Sequence, residues 1–381
     1  MKRRIIFLIC CCFLLAGCWD EDDPQRLLYI FGLGMDFKDD EYIIHAQIID
    51  FSNIAKSEQP SNPEAIQAEV GTAKGSTPSE AFYNLYQAID EKIFWGHFTF
   101  IVLSENALKE GRSNTLINTF IRFHETRYNT WVYSTKEDVK EIMLTTPIIN
   151  KAISLSKLAD PLNSYQQDSF IEPMNFRRLI IHLNEPNYET TIPLVSVFDH
   201  WETTKQQDTS AELHGFAIIS PDELKGFLVD EDAAGMQWVS EKSIRSNLTT
   251  KDSNNKNISI NIDNIRPKRK AVINGSNIQF DISVSVTATL SGFHGTITNE
   301  EIRRAVEKQI EKEIRTTYAK GLELDADVYR LSEVVYRGHV KDWKKLQKDG
   351  KIPLDGDSLR NVTVNVTKVT GGRKIFKETI E

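Results

Sequence analysis

Hydrophobic and polar residues alternate with period two along several stretches of the chain, which is the pattern of a β-strand with one buried face. The clearest stretch runs from Ile278 to Leu290, where every second residue is apolar. Weaker copies run from Ile258 to Ile262 and from Val362 to Val366. The pattern predicts a sheet in the last third of the chain, and its buried face needs a cover.

A long helix is predicted between these strands. Thr298 and Glu301 have the spacing of a capping box, and an apolar stripe at helical spacing runs from Ile302 to Tyr318. The pattern ends at Gly321, a residue typical of helix ends. We therefore expect an α+β C-terminal domain, with an antiparallel sheet packed by one long helix.

The first half of the chain alternates between strand and helix patterns. Apolar runs at 28–35 and 42–49 are separated by Lys38-Asp39-Asp40, which predicts a hairpin. A strand at 68–74, a helix opened by Thr77-Pro78 and a strand at 97–103 covered on both faces follow. This order predicts a mixed α/β fold whose sheets are covered by helices.

The polar stretch 200–210 is the best candidate for a domain boundary. It divides the chain into an N-terminal α/β region, 27–205, with a further split near residue 145, and a C-terminal α+β domain, 206–381. We thus expect a multi-domain protein with three domains. Between 52 and 64, two prolines in a polar segment predict a loop.

The N-terminus has the pattern of a lipoprotein leader. Three basic residues precede an uncharged apolar segment, 5–16, which is too short to span a bilayer. Leu15-Ala16-Gly17-Cys18 meets the bacterial lipobox at every position. We expect cleavage of the signal peptide 1–17, a diacylglyceryl anchor on Cys18 and a tether over 18–26, since two acyl chains hold firmly where one is marginal.

Composition narrows the possible chemistry. All four cysteines lie at or before Cys18, so the cleaved chain has no disulfide and no cysteine chemistry beyond its lipidated thiol. Loss of the leader's three cations takes the net charge from −8 to −11, which disfavours nucleic acid and anionic lipid as general partners.

The catalytic and cofactor motifs that begin in the sequence each lack a residue that the motif requires. Gly32 and Gly34 lack the third glycine of a dinucleotide loop, because Phe37 stands there. His124-Glu125 begins like a zinc-protease helix, but Tyr128 replaces the second histidine. His97 and His182 are isolated in the sequence. We therefore predict no enzyme, no cofactor and no metal site.

Two basic clusters interrupt the acidic chain. Arg266, Lys268, Arg269 and Lys270 flank a proline in a predicted turn, while Lys341, Lys344, Lys345 and Lys348 surround Trp343 on a predicted short helix. Either cluster is a candidate for contact with a membrane or a partner, at about 1 kcal/mol per cation near an anionic surface. The alternative is that both are ordinary solvated surface.

Several motifs, taken in their order along the chain, resemble the Ger(x)C family of spore germination lipoproteins. The motifs in the first half are Gly17-Cys18-Trp19-Asp20, the strand 31–36 and the run 96–105. Those in the second half are the hairpin formed by 214–219 and 223–228, the segment 343–346 and the strand 362–370. Two segments depart from the family pattern: 325–335 lacks a glycine-rich stretch, and 21–24 is unusually acidic.

The resemblance implies a C subunit of a nutrient germinant receptor. Such subunits have three α/β domains on the outer face of the spore inner membrane and work with two integral membrane subunits, A and B. No catalytic residue carries over, and the family implies only an indirect role for the small-molecule germinant. The remaining alternatives are a solute-binding lipoprotein of a transporter, which should show two similar lobes around a cleft, and a lipid-anchored hydrolase, for which no nucleophile or metal pattern is found.

Overall fold

The structure is a computed structural model, and it describes residues 27–49, 68–122, 127–202, 204, 207–252, 255–293 and 297–371. The predicted signal peptide, Cys18, the tether 18–26, the predicted loop 52–64 and His124-Glu125 lie outside these residues.

Ten of the described strands form one mixed sheet, in the order β10-β9-β8-β6-β5-β1-β2-β3, with β4 paired to β1 and β7 paired to β6. β1, β5, β6 and β8 run parallel in the centre, and antiparallel pairs flank them on both sides. The strands are β1 Leu27–Lys38, β2 Glu41–Ile49, β3 Ala68–Gly75, β4 Lys92–Phe94, β5 Phe100–Ser104, β6 Trp131–Thr135, β7 Met174–Asn175, β8 Thr190–Glu202, β9 Gln207–Ile219 and β10 Leu224–Val229.

The predicted N-terminal hairpin is confirmed. β1 and β2 pair antiparallel, and the turn between them places Asp39 and Asp40 at φ of 55° and 62°. Two consecutive residues with positive φ are typical of a type I′ turn, whose twist matches that of the flanking strands. The turn thereby fixes which face of each strand is buried.

Helices cover both faces of this sheet. Those of the N-terminal half are α1 Pro78–Gln87, α2 Glu105–Leu108, α3 Arg112–Ile121, α4 Val139–Leu144, α5 Pro161–Tyr165 and α6 Phe176–Asn184. Apolar residues of α1, α3 and α6 share one core, and those of α4 belong to a second core. Every residue of β5 is buried, with Ile101 facing the first core and Val102 the second, as predicted for a strand covered on both faces.

The two glycines of β1 have a packing role. A Cβ atom on Gly32 would overlap the ring of Phe100, and one on Gly34 would overlap Val139 and lie 2.6 Å from Met143 Sδ. Their absent side chains let β5 and α4 pack closely against β1. Close packing therefore explains why glycine stands at both positions, and nucleotide binding is not needed to explain the G-x-G spacing.

A second sheet of four strands has the order β11-β12-β13-β14. Its strands are β11 Arg245–Lys251, β12 Asn257–Asn274, β13 Asn277–Gly292 and β14 Leu359–Thr370. β11, β12 and β13 pair antiparallel as expected, but β14 joins β13 in parallel. The long helical connection between β13 and β14 returns the chain to the starting end of β13, which is what a parallel pair requires.

The helices of the C-terminal half are α7 Asp230–Ala233, α8 Gly235–Val239, α9 Asn299–Glu323, α10 Leu331–Gly338 and α11 Val340–Leu346. α9 is the predicted cover. Its capping box is formed by Thr298 and Glu301, and its stripe from Ile302 to Tyr318 is buried against the sheet, so both predictions are confirmed. α9 ends at Glu323, two residues beyond Gly321.

β9 belongs to both halves of the molecule. Phe216 and Ile218 lie in the core that contains the second sheet, whereas Ala217 and Ile219 lie in the core of the first. The boundary predicted at 205/206 falls in the connection between β8 and β9, which pair within one sheet. The division of the chain into domains stays a prediction.

Candidate functional site

The first basic cluster lies on a strand. Residues 266–270 are part of β12 and pair with β13, so the predicted turn is wrong; the turn comes later, at Gly275. Alternation along the strand leaves Arg266, Lys268 and Lys270 exposed on the solvent face of the sheet. Arg269 is on the opposite face, where its Nη1 donates to the Tyr329 carbonyl at 2.9 Å.

The second cluster lies on and beside α11, the predicted short helix. Lys341, Lys344, Lys345 and Lys348 are exposed. Trp343 is only 6% exposed and packs edge-to-face against Tyr336, with 5.5 Å between ring centroids. The tryptophan therefore holds the helix on the core, and the candidate contact surface consists of the lysines alone.

A cavity of about 460 Å³ lies where the two halves meet. One wall is formed by α6, the start of β8 and the residues Phe216 and Ile218 of β9. The opposite wall is formed by α8, β12 and α10. Phe170, Met174, Phe216, Ile218, Met236 and Val239 form apolar lining. The volume falls within the range of small-molecule sites.

Five cations and five carboxylates also line this cavity. The cations are Arg178, Lys242, Arg269, Arg330 and Arg337, and the carboxylates are Glu172, Glu189, Glu241, Asp327 and Glu333.

Ion pairs join several of these groups, and the pair between Glu172 and Lys242 connects the two halves. Glu172 pairs with Arg178 and, at 3.5 Å, with Lys242, while Glu333 pairs with Arg330 at 2.6 Å and Arg337 at 2.7 Å. Such pairs hold the side chains in fixed geometry.

Glu189 ties the start of β8 to the C-terminal half. It is buried, pairs with Lys351 and accepts the Asp327 backbone N–H at 2.8 Å. Burial raises the pKa of the Glu189 carboxyl despite the lysine beside it. Asp327 is also buried and accepts the N–H groups of Leu331 and Ser332 at 2.8 and 2.7 Å, which satisfies two of the free donors at the start of α10.

His182 is surrounded by cationic charge. Its Nδ1 lies 2.9 Å from Thr190 Oγ1. Burial, followed by the charges of Arg330, Arg178, Lys242 and Arg337, lowers the pKa of His182 to about 2. The imidazole is therefore neutral at physiological pH, and the potential around it is positive.

Sequence reasoning missed this cavity because its residues are far apart in the chain. His182 and Arg330 are separated by more than a hundred residues, and they line one cavity only because the two halves of the chain meet there. One local signal was available: Arg330, Glu333 and Arg337 are spaced to share one helix face and to pair.

Neither a metal-binding group nor a membrane-spanning helix is found in the described part of the chain. No three histidine, cysteine or acidic side chains converge there in a way that could hold a metal ion. None of its helices combines the length and the apolar character needed to cross a bilayer.

Comparison with protein families identifies the chain. The model of the spore germination protein N-terminal domain matches residues 20–197, and that of the spore germination B3/GerAC-like C-terminal domain matches residues 214–368. The chain belongs to the GerAC family of spore germination proteins. The two matches lie in family order along the chain and together cover most of it, which confirms the resemblance seen in the sequence.

Two relatives match this chain nearly end to end, and a third matches part of it. Spore germination protein KC of Bacillus subtilis (strain 168) is 21% identical, over 90% of this chain and 89% of its own. Spore germination protein B3 of the same organism is 23% identical, over 91% of this chain and 92% of its own. Spore germination protein A3, also of B. subtilis, is 30% identical over 37% of this chain and 38% of its own.

A solved structure shares the fold. The crystal structure of the GerBC protein superposes with a TM-score of 0.56 at 18% sequence identity, covering 88% of this chain and 97% of that one. The mixed, multi-domain α+β architecture predicted from the sequence is thereby confirmed.

Proposed function

We propose that this GerAC-family protein is the C subunit of a spore nutrient germinant receptor, anchored by lipid to the outer face of the spore inner membrane. One observation carries the proposal: both family domains occur in order in one chain, and the first match begins at residue 20, two residues after the lipobox cysteine.

The leader sequence supports the lipid anchor. The apolar segment 5–16 is too short for a permanent span, and Cys18 follows small residues that admit a peptidase. A chain with net charge of −11 after cleavage is repelled by an anionic membrane, so acyl chains must supply the attachment.

Cys18→Ala tests the anchor. Cells expressing the chain are labelled with a clickable palmitate analogue and fractionated. We expect Cys18→Ala to lose both the label and the membrane association, while Cys12→Ala, a matched change within the leader, keeps both. A Cys18→Ala chain that stays fully in the membrane fraction would show that protein partners, not lipid, hold it.

The signalling role is proposed to be protein contact with the integral membrane subunits A and B. One strand, β9, contributes residues to the cores of both halves, and coupling between distant sites is carried by packed elements of this kind. A subunit that responds to the germinant only indirectly must make different contacts in the resting and triggered receptor. Copurification of polytopic A and B subunits with the tagged chain is the expected result, and their absence after gentle solubilisation would count against the role.

The exposed cations of β12 are proposed to touch lipid headgroups. Arg266, Lys268 and Lys270 project from one face of a sheet, so a flat anionic surface can meet all three. The Cys18→Ala chain, which lacks the anchor, is tested at low ionic strength, where weak contacts between exposed cations and headgroups are least screened. There, Lys268→Glu/Lys270→Glu should weaken its residual binding to vesicles rich in phosphatidylglycerol. Lys308→Glu/Lys312→Glu, on the exposed face of α9, is the matched control. If both double variants bind the vesicles equally well, the β12 cations do not contact lipid and instead face solvent or a protein partner.

A further inference from the structure

The parallel strands β1, β5, β6 and β8 all begin at one edge of the ten-stranded sheet, which we call the starting edge. One row of paired residues crosses the first three of these strands: Gly32, Phe100 and Trp131. Tyr29, His97 and Tyr128 each stand three residues before a member of this row. Because the strands run in the same direction, these three residues lie at the starting edge. β4 lies there too, since its Phe94 pairs with Tyr29.

The proposed lipid anchor is joined to this same edge. β1 begins at Leu27, nine residues after Cys18. Those nine residues reach at most about 32 Å, since an extended chain advances no more than about 3.6 Å per residue. β1 then carries the chain about 36 Å to Lys38 at the opposite edge, at about 3.3 Å per residue. With β1 upright, the tether therefore allows the starting edge to meet the membrane but not the opposite edge.

Aromatic and aliphatic side chains are exposed at the starting edge. Tyr128 is 47% exposed, and Ile121 is 40% exposed at the end of α3, which returns the chain from the end of β5 to the start of β6. Tyr29 is half-buried, with its ring centroid 5.6 Å from that of Phe94 and 5.3 Å from that of the exposed His97. Tyrosine is enriched at membrane–water interfaces because its ring is apolar and its hydroxyl is polar. The edge thus presents side chains that suit a headgroup layer.

Exposed arginines accompany these side chains. Arg122 is next to Ile121 in the chain, and Arg127 is next to Tyr128. The guanidinium group donates to phosphate oxygens with a fixed fork geometry, and every phospholipid headgroup carries a phosphate. The exposed acidic residues 90–91 precede β4 at the same edge. The contact therefore depends on amphipathic rings and on hydrogen bonds to phosphate, not on attraction between net charges.

We propose that the starting edge lies in the headgroup layer of the bilayer that holds the anchor, with Tyr128 and Ile121 at the interface and Arg122 and Arg127 on lipid phosphates. The inference rests on the proposed lipid anchor and adds the orientation of the body to it. Each contact is weak alone, but the tether makes it intramolecular, at a high effective concentration. The N-terminal half makes this contact, and the β12 cations of the C-terminal half take no part in it.

The test uses single-site labels on the lipidated full chain. No cysteine follows Cys18, whose thiol is blocked by lipid, so one introduced cysteine can be labelled alone. Asn129→Cys places the label beside Tyr128, and Lys38→Cys places it at the opposite edge; both positions are exposed. Each chain is labelled with an NBD fluorophore and reconstituted into phosphatidylcholine vesicles whose headgroups carry a nitroxide quencher. We expect quenching at position 129 to be at least twofold stronger than at position 38.

Matched double variants of the chain labelled at position 129 test the side chains. Arg127→Gln/Tyr128→Ser should lower the quenching by half or more, because it removes one phosphate donor and one interfacial ring. Ile149→Ser/Lys151→Gln removes one exposed apolar side chain and one exposed cation from the segment after α4, and should leave the quenching unchanged. Should the first variant fail to fold, Ile121→Ser/Arg122→Gln at the end of α3 replaces it and is held to the same result.

Flotation of the vesicles reports the anchor separately. A labelled chain that does not float with the vesicles overturns both the anchor and this inference. A chain that floats but is quenched equally at positions 129 and 38 overturns only the orientation of the body. The same holds if the double variant at the starting edge and its control lose quenching equally, or if neither loses any.

Discussion

His182 offers a quantitative test of the electrostatics at the junction. It lies in the cavity wall with its Nδ1 at 2.9 Å from Thr190 Oγ1, and burial together with four neighbouring cations lowers its pKa from 6.5 to about 2. Replacing it by asparagine keeps a polar atom near the Nδ1 position and removes the titrating group.

The magnitude follows from proton linkage. In the unfolded chain the imidazole binds a proton below its ordinary pKa of 6.5, whereas in the folded chain it stays neutral down to far lower pH. As the pH falls, the unfolded state therefore binds a proton at this residue before the folded state does, and the free energy of unfolding decreases. Between about pH 7.5 and about pH 5 this one residue should reduce the free energy of unfolding by about 2 kcal/mol.

The measurement is denaturant unfolding of the full chain in detergent, followed by tryptophan fluorescence at both pH values. The His182→Asn chain should lose about 2 kcal/mol less than the unsubstituted chain over this interval. His97→Asn, at an exposed position, serves as the control and should retain the full loss. Equal losses in the unsubstituted and His182→Asn chains would refute the assignment of a cationic, water-poor environment to this histidine.

Three further predictions concern packing and charge. Burial raises the pKa of the Glu313 carboxyl, so stability should fall as pH rises above its ordinary value of 4.5, and denaturant unfolding of Glu313→Gln should show a smaller decline. Gly34→Ala places a methyl group against α4 and should cost about 1–3 kcal/mol in thermal unfolding, whereas Gly356→Ala, with open space around it, should cost little. Trp343→Ala should cost about 3–5 kcal/mol because the ring is buried, while the exposed Lys344→Ala should leave unfolding nearly unchanged.

Patterns among neighbouring residues predicted the elements whose formation depends mainly on residues close together in the chain. The capping box at Thr298, the stripe of α9 and the Asp39-Asp40 turn follow from neighbouring residues, and each is confirmed. The segment around Pro267 was misjudged because a cluster of cations with proline resembles a turn, whereas pairing with β13 holds it as a strand. Tertiary pairing overrode the local propensity there.

The candidate site was beyond the reach of sequence patterns. A cavity built by α6, α8, β12 and α10 depends on how two sheets pack, and no spacing rule connects His182 with Arg330. The basic clusters were visible in the sequence, but the sequence could not show that Arg269 and Trp343 face inward while their neighbours face solvent.

Nutrient-triggered germination of spores tests the central claim most directly. Spores deleted for the gene and for any paralogue, and complemented with either the unsubstituted chain or Cys18→Ala, are exposed to a panel of amino acids, sugars and nucleosides while their optical density is followed. The account predicts that the deletion abolishes the response to at least one nutrient, that the unsubstituted chain restores it, and that Cys18→Ala does so poorly or not at all. A normal response to every nutrient in the deleted spores would contradict the account.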